Sequence, residues 1–275
     1  MRVALCQVVA GSDKEQNLEK ILRTIDDAAD AGAEVVALPE SIDYVGPRDQ
    51  QVANAEDDGG PFAAALARKA AERSIWIVGG TTRINIAPGR VTNTLGVYGP
   101  SGVRVARYDK IHTFDVAIPG GVETRESSIV EGGSSIVVAD VAGVASGLSV
   151  CFDVRFPELF RLLALAGAKL LFVPSAFAHF TGKDHWEVLL RARAIENQCF
   201  VIAANQSGNV IPTIPLFGNS MVVDPWGSVI ARITEDEGTA IVDIDVGEVD
   251  RIRTQLPSLT NRRSDVYSLS ATPRS

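Results

Sequence analysis

Cysteine is scarce in this 275-residue chain, occurring only as Cys6, Cys151 and Cys199. So sparse and odd a set is a poor disulfide framework and fits a reducing compartment such as the cytosol. Histidine is equally scarce: His112, His179 and His185 lack zinc-site spacing, no Cys-x-x-Cys occurs, and no metal is expected. Basic residues are in deficit, 26 Lys plus Arg against 34 Asp plus Glu. The resulting net charge of −8 argues against a broad phosphate-binding surface, so nucleic acid is not an expected partner. The chain lacks the roughly 18 consecutive apolar residues that would span a bilayer. Its start, Met1-Arg2-Val3-Ala4-Leu5, lacks the apolar core and cleavage site of a signal peptide. These absences predict a soluble, cytoplasmic protein without a membrane partner. What is present is ordinary for a globular chain, with 46% hydrophobic and 22% charged residues.

Apolar runs bounded by turn residues alternate with segments of helical period. Strands are expected at 3–9, 34–38 and 75–79, with helices at 13–31 and 61–73. The runs 92–98 and 103–108 flank Gly99-Pro100-Ser101-Gly102 and predict a hairpin. Residues 110–133 show no clear period, and a loop of that length is often functional. Beyond it, strands are expected at 135–140, 144–150, 169–173, 200–204, 221–224, 228–232 and 240–245, with helices at 156–166 and 184–197. The tail from Gln255 shows neither period. The strand–helix–strand run ending at Pro39-Glu40 is echoed by a later one ending at Pro174-Ser175. One α/β domain over 1–275, with two sheets packed together and helices outside, is the simplest account.

Three residues stand where chemistry is possible. Cys151 follows an apolar strand and precedes a helix starting near Pro157. There the sheet edge, the helix N-terminus and nearby N–H groups favour a thiolate and a developing oxyanion. Taken alone, it reads equally as a small buried hydrophobe. Glu40 closes an apolar strand, which suits a base raised by desolvation or a mere strand end facing solvent. Lys110 follows a strand in the same way and, taken alone, is an ordinary surface lysine. Together they form a base, a cation and a thiol at three strand ends, a set able to attack a carbonyl or nitrile carbon without histidine. Cys6 and Cys199 lie in apolar runs and read as core. Trp76, Trp186 and Trp226 read as packing residues, with Trp186 near enough to the loop to line a pocket.

Leu38-Pro39-Glu40-Ser41, Lys110-Ile111-His112 and the run from Cys151 to Leu159 resemble the three signature regions of the nitrilase superfamily of carbon–nitrogen hydrolases. The likeness extends from Val3 to Gly227. Pro174-Ser175-Ala176-Phe177, Thr181-Gly182 and the run from His185 to Gln198 resemble its Nit amidase branch, which contains ω-amidases and deaminated glutathione amidases. The resemblance implies a four-layer αββα sandwich, no cofactor, and a homodimer or higher oligomer, the tail from 255 to 275 packing on a partner subunit. It makes Cys151 the nucleophile, Glu40 the general base and Lys110 the cation at the tetrahedral intermediate. It assigns Glu126 the support of Lys110, and the Phe152 N–H a place in the oxyanion hole. Substrate-binding positions so implied are Tyr44, Arg155, Phe177, His179, Thr181 and Asn219. Asn219 stands where relatives commonly carry histidine, and His179 is a candidate for a compensating contact.

The expected activity is hydrolysis of a small linear amide bearing a carboxylate, a 2-oxo acid amide or a deaminated-glutathione-like amide, through a Cys151 thioester. Arg155 either pairs with Glu158 at the helix start or binds the substrate carboxylate bidentately, as planar guanidinium is suited to do. A nitrilase acting on C≡N and a hydrolase of N-carbamoyl or aliphatic amides are the alternatives. A non-catalytic interaction protein would lack a member of the triad, and none is missing.

Overall fold

A βα rhythm opens the chain. β1 (Arg2–Gln7) leads through Asp13, whose carboxylate accepts the Gln16 N–H, into α1 (Lys14–Asp30). There follow β2 (Val35–Ala37), the short α2 (Arg48–Gln51), α3 (Pro61–Arg73), β3 (Trp76–Ala87), β4 (Arg90–Tyr98) and β5 (Arg104–Asp109). A small hairpin, β6 (Asp115–Ala117) and β7 (Glu123–Arg125), separates this half from the next. The rhythm resumes with β8 (Val138–Val141), β9 (Val144–Leu148), α4 (Pro157–Leu165), β10 (Leu170–Phe172), α5 (His179–Asn197) and β11 (Phe200–Ala203). It ends with β12 (Ser207–Gly208), β13 (Leu216–Phe217), β14 (Met221–Val223), β15 (Val229–Arg232), β16 (Gly238–Asp243) and α6 (Gly247–Gln255). The computed structural model describes residues 1–209, 214–234 and 236–271.

Among the described residues the strands form two six-stranded sheets, ordered β16-β1-β2-β3-β4-β5 and β15-β14-β11-β10-β9-β8. Each has a parallel centre, β1-β2-β3 in one and β9-β10-β11 in the other, flanked by antiparallel strands. The echo between the halves is thus a real repeat of topology.

The period of two along each strand builds the layers. In β1, Val3 and Leu5 face inward, toward the second sheet's Leu148, Phe172 and Ile202, which share one face of that sheet. Ala4 and Cys6, the alternate residues, pack outward on Ile21 and Ile25 of α1 and Phe62 and Leu66 of α3. On the far side, Phe160 and Leu163 of α4 and Trp186 and Leu190 of α5 complete the inner core. The result is the expected αββα sandwich. The carboxyl ends of the parallel strands gather on one edge, where α/β sheets bind ligands.

Several boundaries differ from expectation. β3 runs on to Ala87 and folds back on β4, so a second hairpin lies where only one was expected. α5 begins at His179, five residues before the expected start, because Gly182 lets the helix pass against Phe217, whose ring carbons lie within 2.7 Å of any Cβ placed there. Residues 110–133 hold the β6–β7 pair, too short to leave a pattern in the sequence. α6 was not expected, although Val249 and Ile252 are spaced for one helical face and are buried. Of the expected tail, residues 272–275 lie outside the described residues.

Candidate active site

Glu40 follows β2, where the neighbouring strand bulges to make room. Gly80 in that bulge has φ +62°, and a Cβ there would lie 2.1 Å from the Pro39 carbonyl oxygen. Only glycine fits. Ser41, itself left-handed at φ +56°, donates its N–H to Thr81 Oγ1 at 2.9 Å. Two carbonyls on this turn, those of Glu40 and Ser41, accept the buried Gln206 side-chain amide at 2.9 and 3.0 Å. Lys110 leaves β5 with its N–H on the Asn93 carbonyl at 2.9 Å.

Cys151 opens a 3-10 turn after β9, with its N–H on the Pro174 carbonyl at 2.9 Å and φ +48°. A non-glycine residue in this region is strained and persists only when its surroundings over-determine it. Asp153, fully buried, does so. Its Oδ2 accepts the Val150 N–H at 2.8 Å and the Tyr108 hydroxyl at 2.7 Å. Its Oδ1 accepts the His112 N–H at 3.0 Å and meets His112 Nδ1 at 2.7 Å. His112 in turn stacks flat on Phe156 at 3.6 Å. Burial and the Asp153 carboxylate push the Tyr108 hydroxyl pKa well up.

The charged groups converge. Lys110 Nζ donates to Glu40 Oε1 at 3.0 Å and Glu126 Oε2 at 2.9 Å. Asn93 donates to Glu40 Oε1 at 2.7 Å and to Glu126 Oε1 at 3.4 Å. Glu40 Oε2 accepts the Ala176 N–H at 2.8 Å, and Glu126 Oε2 the Phe114 N–H at 2.7 Å. Burial opposes the Lys110 ammonium, but the Glu126 and Glu40 carboxylates outweigh it and raise its pKa. Burial likewise opposes the Glu126 carboxylate, yet Lys110, Arg83 and the Phe114 N–H carry its pKa down to about 2. The Cys151 thiol is pushed well up, first by burial and then by the Glu40 carboxylate beside it. Cys151 therefore rests as a thiol against a carboxylate placed to take its proton. The Phe152 N–H, in the first turn after it, has no acceptor among the described residues.

An open cleft of about 920 Å³, mouth included, leads to this cluster. Glu40, Lys110, Cys151, Glu126, Phe152, Tyr44, Arg155, Phe177 and Thr181 all line it, so nine sequence-predicted residues share one cavity. The Arg155 guanidinium lies 5.1 Å from the Phe177 ring centroid and 5.8 Å from that of Phe152. Its Nη1 is 3.2 Å from His185 Nδ1, and it meets no carboxylate among the described residues; the alternative pairing with Glu158 is absent. Burial lowers its pKa.

Two expected positions lie elsewhere. His179 is exposed at the start of α5, its ring edge-on to Phe217 at 5.6 Å, and it does not reach the cleft. Asn219 faces away as well: its amide donates to the Phe217 carbonyl at 2.9 Å and its own carbonyl accepts Trp186 Nε1 at 2.8 Å. Its φ of +55° explains the residue, since asparagine tolerates the left-handed region. Trp186 is fully buried and supports Phe177 at 4.9 Å rather than lining the cleft. Asn93, Arg83, Phe114 and Asp153 were not singled out from sequence. The polar run Thr92-Asn93-Thr94 inside a buried strand was the one available signal.

Residues 2–254 match the family profile described as Carbon-nitrogen hydrolase. A deaminated glutathione amidase of Synechocystis is 39% identical over 264 residues, covering 94% of this chain and 97% of that protein. An omega-amidase of Homo sapiens is 36% identical over 268 residues, 98% of this chain and 97% of that protein. The crystal structure of the NitFhit protein of C. elegans superposes with a TM-score of 0.93 at 38% identity, covering all of this chain and 68% of that one. Against the full-length nitrilase and fragile histidine triad fusion protein of that organism, the chain spans 62% of the length. The chain belongs to the carbon–nitrogen hydrolase family.

Proposed function

We propose that this carbon–nitrogen hydrolase is an amidase for small linear amides that carry a carboxylate, using Cys151 as nucleophile. The observation carrying the reading is the convergence of one ammonium, Lys110 Nζ, on two buried carboxylates beside a buried thiol at a strained turn. Amide rather than nitrile hydrolysis is favoured by the amidase names of the relatives.

Glu40 accepts the thiol proton as the sulfur attacks the amide carbon. The oxyanion that forms faces the Lys110 ammonium and the Phe152 N–H, stabilisation of a kind often worth ~3–4 kcal/mol of barrier per donor. The carbon–nitrogen bond breaks as Glu40 returns the proton to the departing ammonia, leaving a thioester on Cys151. Water then gives a proton to Glu40 and attacks the thioester carbon; the carbon–sulfur bond breaks, and the sulfur recovers its proton. Glu126 holds Lys110 in place throughout. Arg155, with no carboxylate partner among the described residues, binds the substrate's distal carboxylate across the Phe177 and Thr181 wall, with Tyr44 on the other side. A reducing cytoplasm suits the free thiol. The chain works as a single hydrolase domain and as a homodimer or larger homo-oligomer, residues beyond 255 lying on a partner, which a solution mass measurement tests.

The test is intact-mass detection of an acyl adduct, with ammonia release, over a panel of ω-amides, N-acyl amides and nitriles. An adduct on the wild type that disappears in Cys151→Ala is expected. Arg155→Gln should weaken use of carboxylate-bearing amides far more than neutral ones. No adduct and no ammonia from any amide, or equal loss on both classes in Arg155→Gln, defeats the corresponding part of the reading.

A further inference from the structure

Arg83 was singled out by no motif, yet it is 92% buried and lines the catalytic cleft (relative exposure 8%). It sits on β3 in register with Asn93 on β4, the residue that bridges Glu40 and Glu126. Its Nη2 lies 3.6 Å from Glu126 Oε1. Its backbone N–H donates to Asp43 Oδ2 at 3.1 Å, and Asp43 is itself only 1% exposed. Arg83 Nε and Nη1 and Asp43 Oδ1 have no hydrogen-bond partner among the described residues, so the guanidinium is held by charge rather than by a saturated network.

A buried guanidinium costs several kcal/mol in desolvation unless counter-charges face it. Glu126 faces it at 3.6 Å, and the Asp43 carboxylate, which holds the Arg83 backbone N–H, adds a charge attraction that partly offsets the rise burial imposes on the Asp43 carboxyl pKa. The order Asp43, Arg83, Glu126, Lys110, Glu40 then alternates in sign from the wall of the cleft to the nucleophile. Lys110 is one cation divided between two buried carboxyl groups. Without a second cation, Glu126 competes harder with Glu40 for it.

We propose that Arg83 is a positioning residue for the reaction: anchored over Asp43, it holds Glu126 so that Lys110 stays shared between Glu126 and Glu40. The inference rests on the amidase reading for its relevance to turnover, but not for its geometry. The groups that face Glu126 are Lys110 from the end of β5, Arg83 from β3, Glu40 from the end of β2, and Asp115 of β6, whose negative charge opposes the two cations. Removing Arg83 tips that balance toward protonation of Glu126.

The test is the pH–rate profile of Cys151 alkylation by iodoacetamide, read by intact mass on the full chain, for wild type, Arg83→Lys and Arg83→Gln. This readout needs no amide substrate. In Arg83→Gln the acid limb should move up by about 1 pH unit, as expected for losing an opposite charge at this range. Where an amide substrate is in hand, kcat should fall roughly 10–100-fold with KM little changed, the scale of a displaced catalytic group. Arg83→Lys, which keeps the charge, should restore most of the limb. An unmoved limb in a folded Arg83→Gln overturns the assignment. So does a rise in KM confined to carboxylate-bearing amides, which would make Arg83 a substrate ligand. A shifted limb in Arg83→Gln, alongside a wild type that turns over no amide, would sustain Arg83 and sink the amidase reading instead.

Discussion

Asp153 carries the heaviest structural duty at the site, and Asp153→Asn isolates it. Its two oxygens each serve two donors: Val150 N–H and Tyr108 O–H on one, His112 N–H and His112 Nδ1 on the other. Asparagine keeps the shape but offers one oxygen, so its NH2 must face one pair of donors in a fully buried place. Hydrogen bonds to charged acceptors are worth ~1.5–3 kcal/mol each, so losing two costs about 3–6 kcal/mol. For a chain of this size each kcal/mol moves Tm by ~2–4 °C, which puts the fall at roughly 6–24 °C. The strained Cys151 turn should relax at the same time, because the Val150 N–H beside it loses its anchor or the His112 side loses its own. Thermal unfolding followed by circular dichroism reads the first effect, and the rate of Cys151 alkylation the second. Tyr108→Phe, which removes one donor and leaves the carboxylate intact, should cost about half as much, ~1.5–3 kcal/mol. A Tm within 2 °C of wild type in Asp153→Asn, with Cys151 alkylated at the wild-type rate, refutes the account of what holds the turn.

Gly80→Ala should unfold the chain or cost several kcal/mol, since its Cβ would stand 2.1 Å from the Pro39 carbonyl oxygen at φ +62°; a soluble variant of near-native Tm would show that the Glu40 turn is softer than argued. Native alkylation with iodoacetamide should add one group, at Cys151, because Cys6 and Cys199 have no exposed surface whereas Cys151 lines the open cleft. Labelling of either structural cysteine at a comparable rate contradicts that burial. Glu126, at about 2 in the folded chain against an ordinary 4.5, favours the folded state above pH 4.5, and that contribution is lost as pH falls toward 2. The contribution is of order 3 kcal/mol. Acid unfolding of Glu126→Gln should accordingly be flatter between pH 4.5 and 2 than that of the wild type, and an unchanged slope would count against the ion cluster.

The layers of the fold were legible because burial on both faces leaves apolar runs such as Leu170–Phe172, and because β1 alternates between two cores residue by residue. The triad positions were legible for a related reason: a charged or reactive residue directly after an apolar strand has few places to go except the sheet's edge. What supports them was not. Asn93 and Arg83 lie inside strands where period two places them on a face, but nothing local says that the face is the wall of a cleft. Asp153 was visible inside a motif without its role, since its four donors come from residues 3 to 45 positions away. His179 and Asn219 were misplaced because a substitution in a motif invites a functional reading, whereas the Asn219 side chain, on a left-handed backbone, is taken up by the Phe217 carbonyl.

The groups proposed for catalysis come from both sheets, Glu40 and Lys110 from one and Cys151 from the other, so their spacing is an inter-sheet dimension. Apolar packing between the sheets is non-directional and fixes that dimension only loosely. The directional part is supplied at the carboxyl edge by buried amides. Gln206, after β11, donates to the Glu40 and Ser41 carbonyls and accepts the Ala10 N–H at 2.8 Å. Gln7 of β1 accepts from Ser220 at 2.8 Å and donates to the Thr234 and Asp236 carbonyls at 2.9 and 2.8 Å. Asn205 accepts the Phe177 N–H at 3.0 Å and so sets the wall that carries Arg155. Each of these side chains can donate and accept at once, which an aspartate or a leucine of similar size cannot. A carboxylate that must meet a thiol from the other sheet needs its backbone placed to within a fraction of an ångström, and here that precision comes from buried amides rather than from the strands themselves.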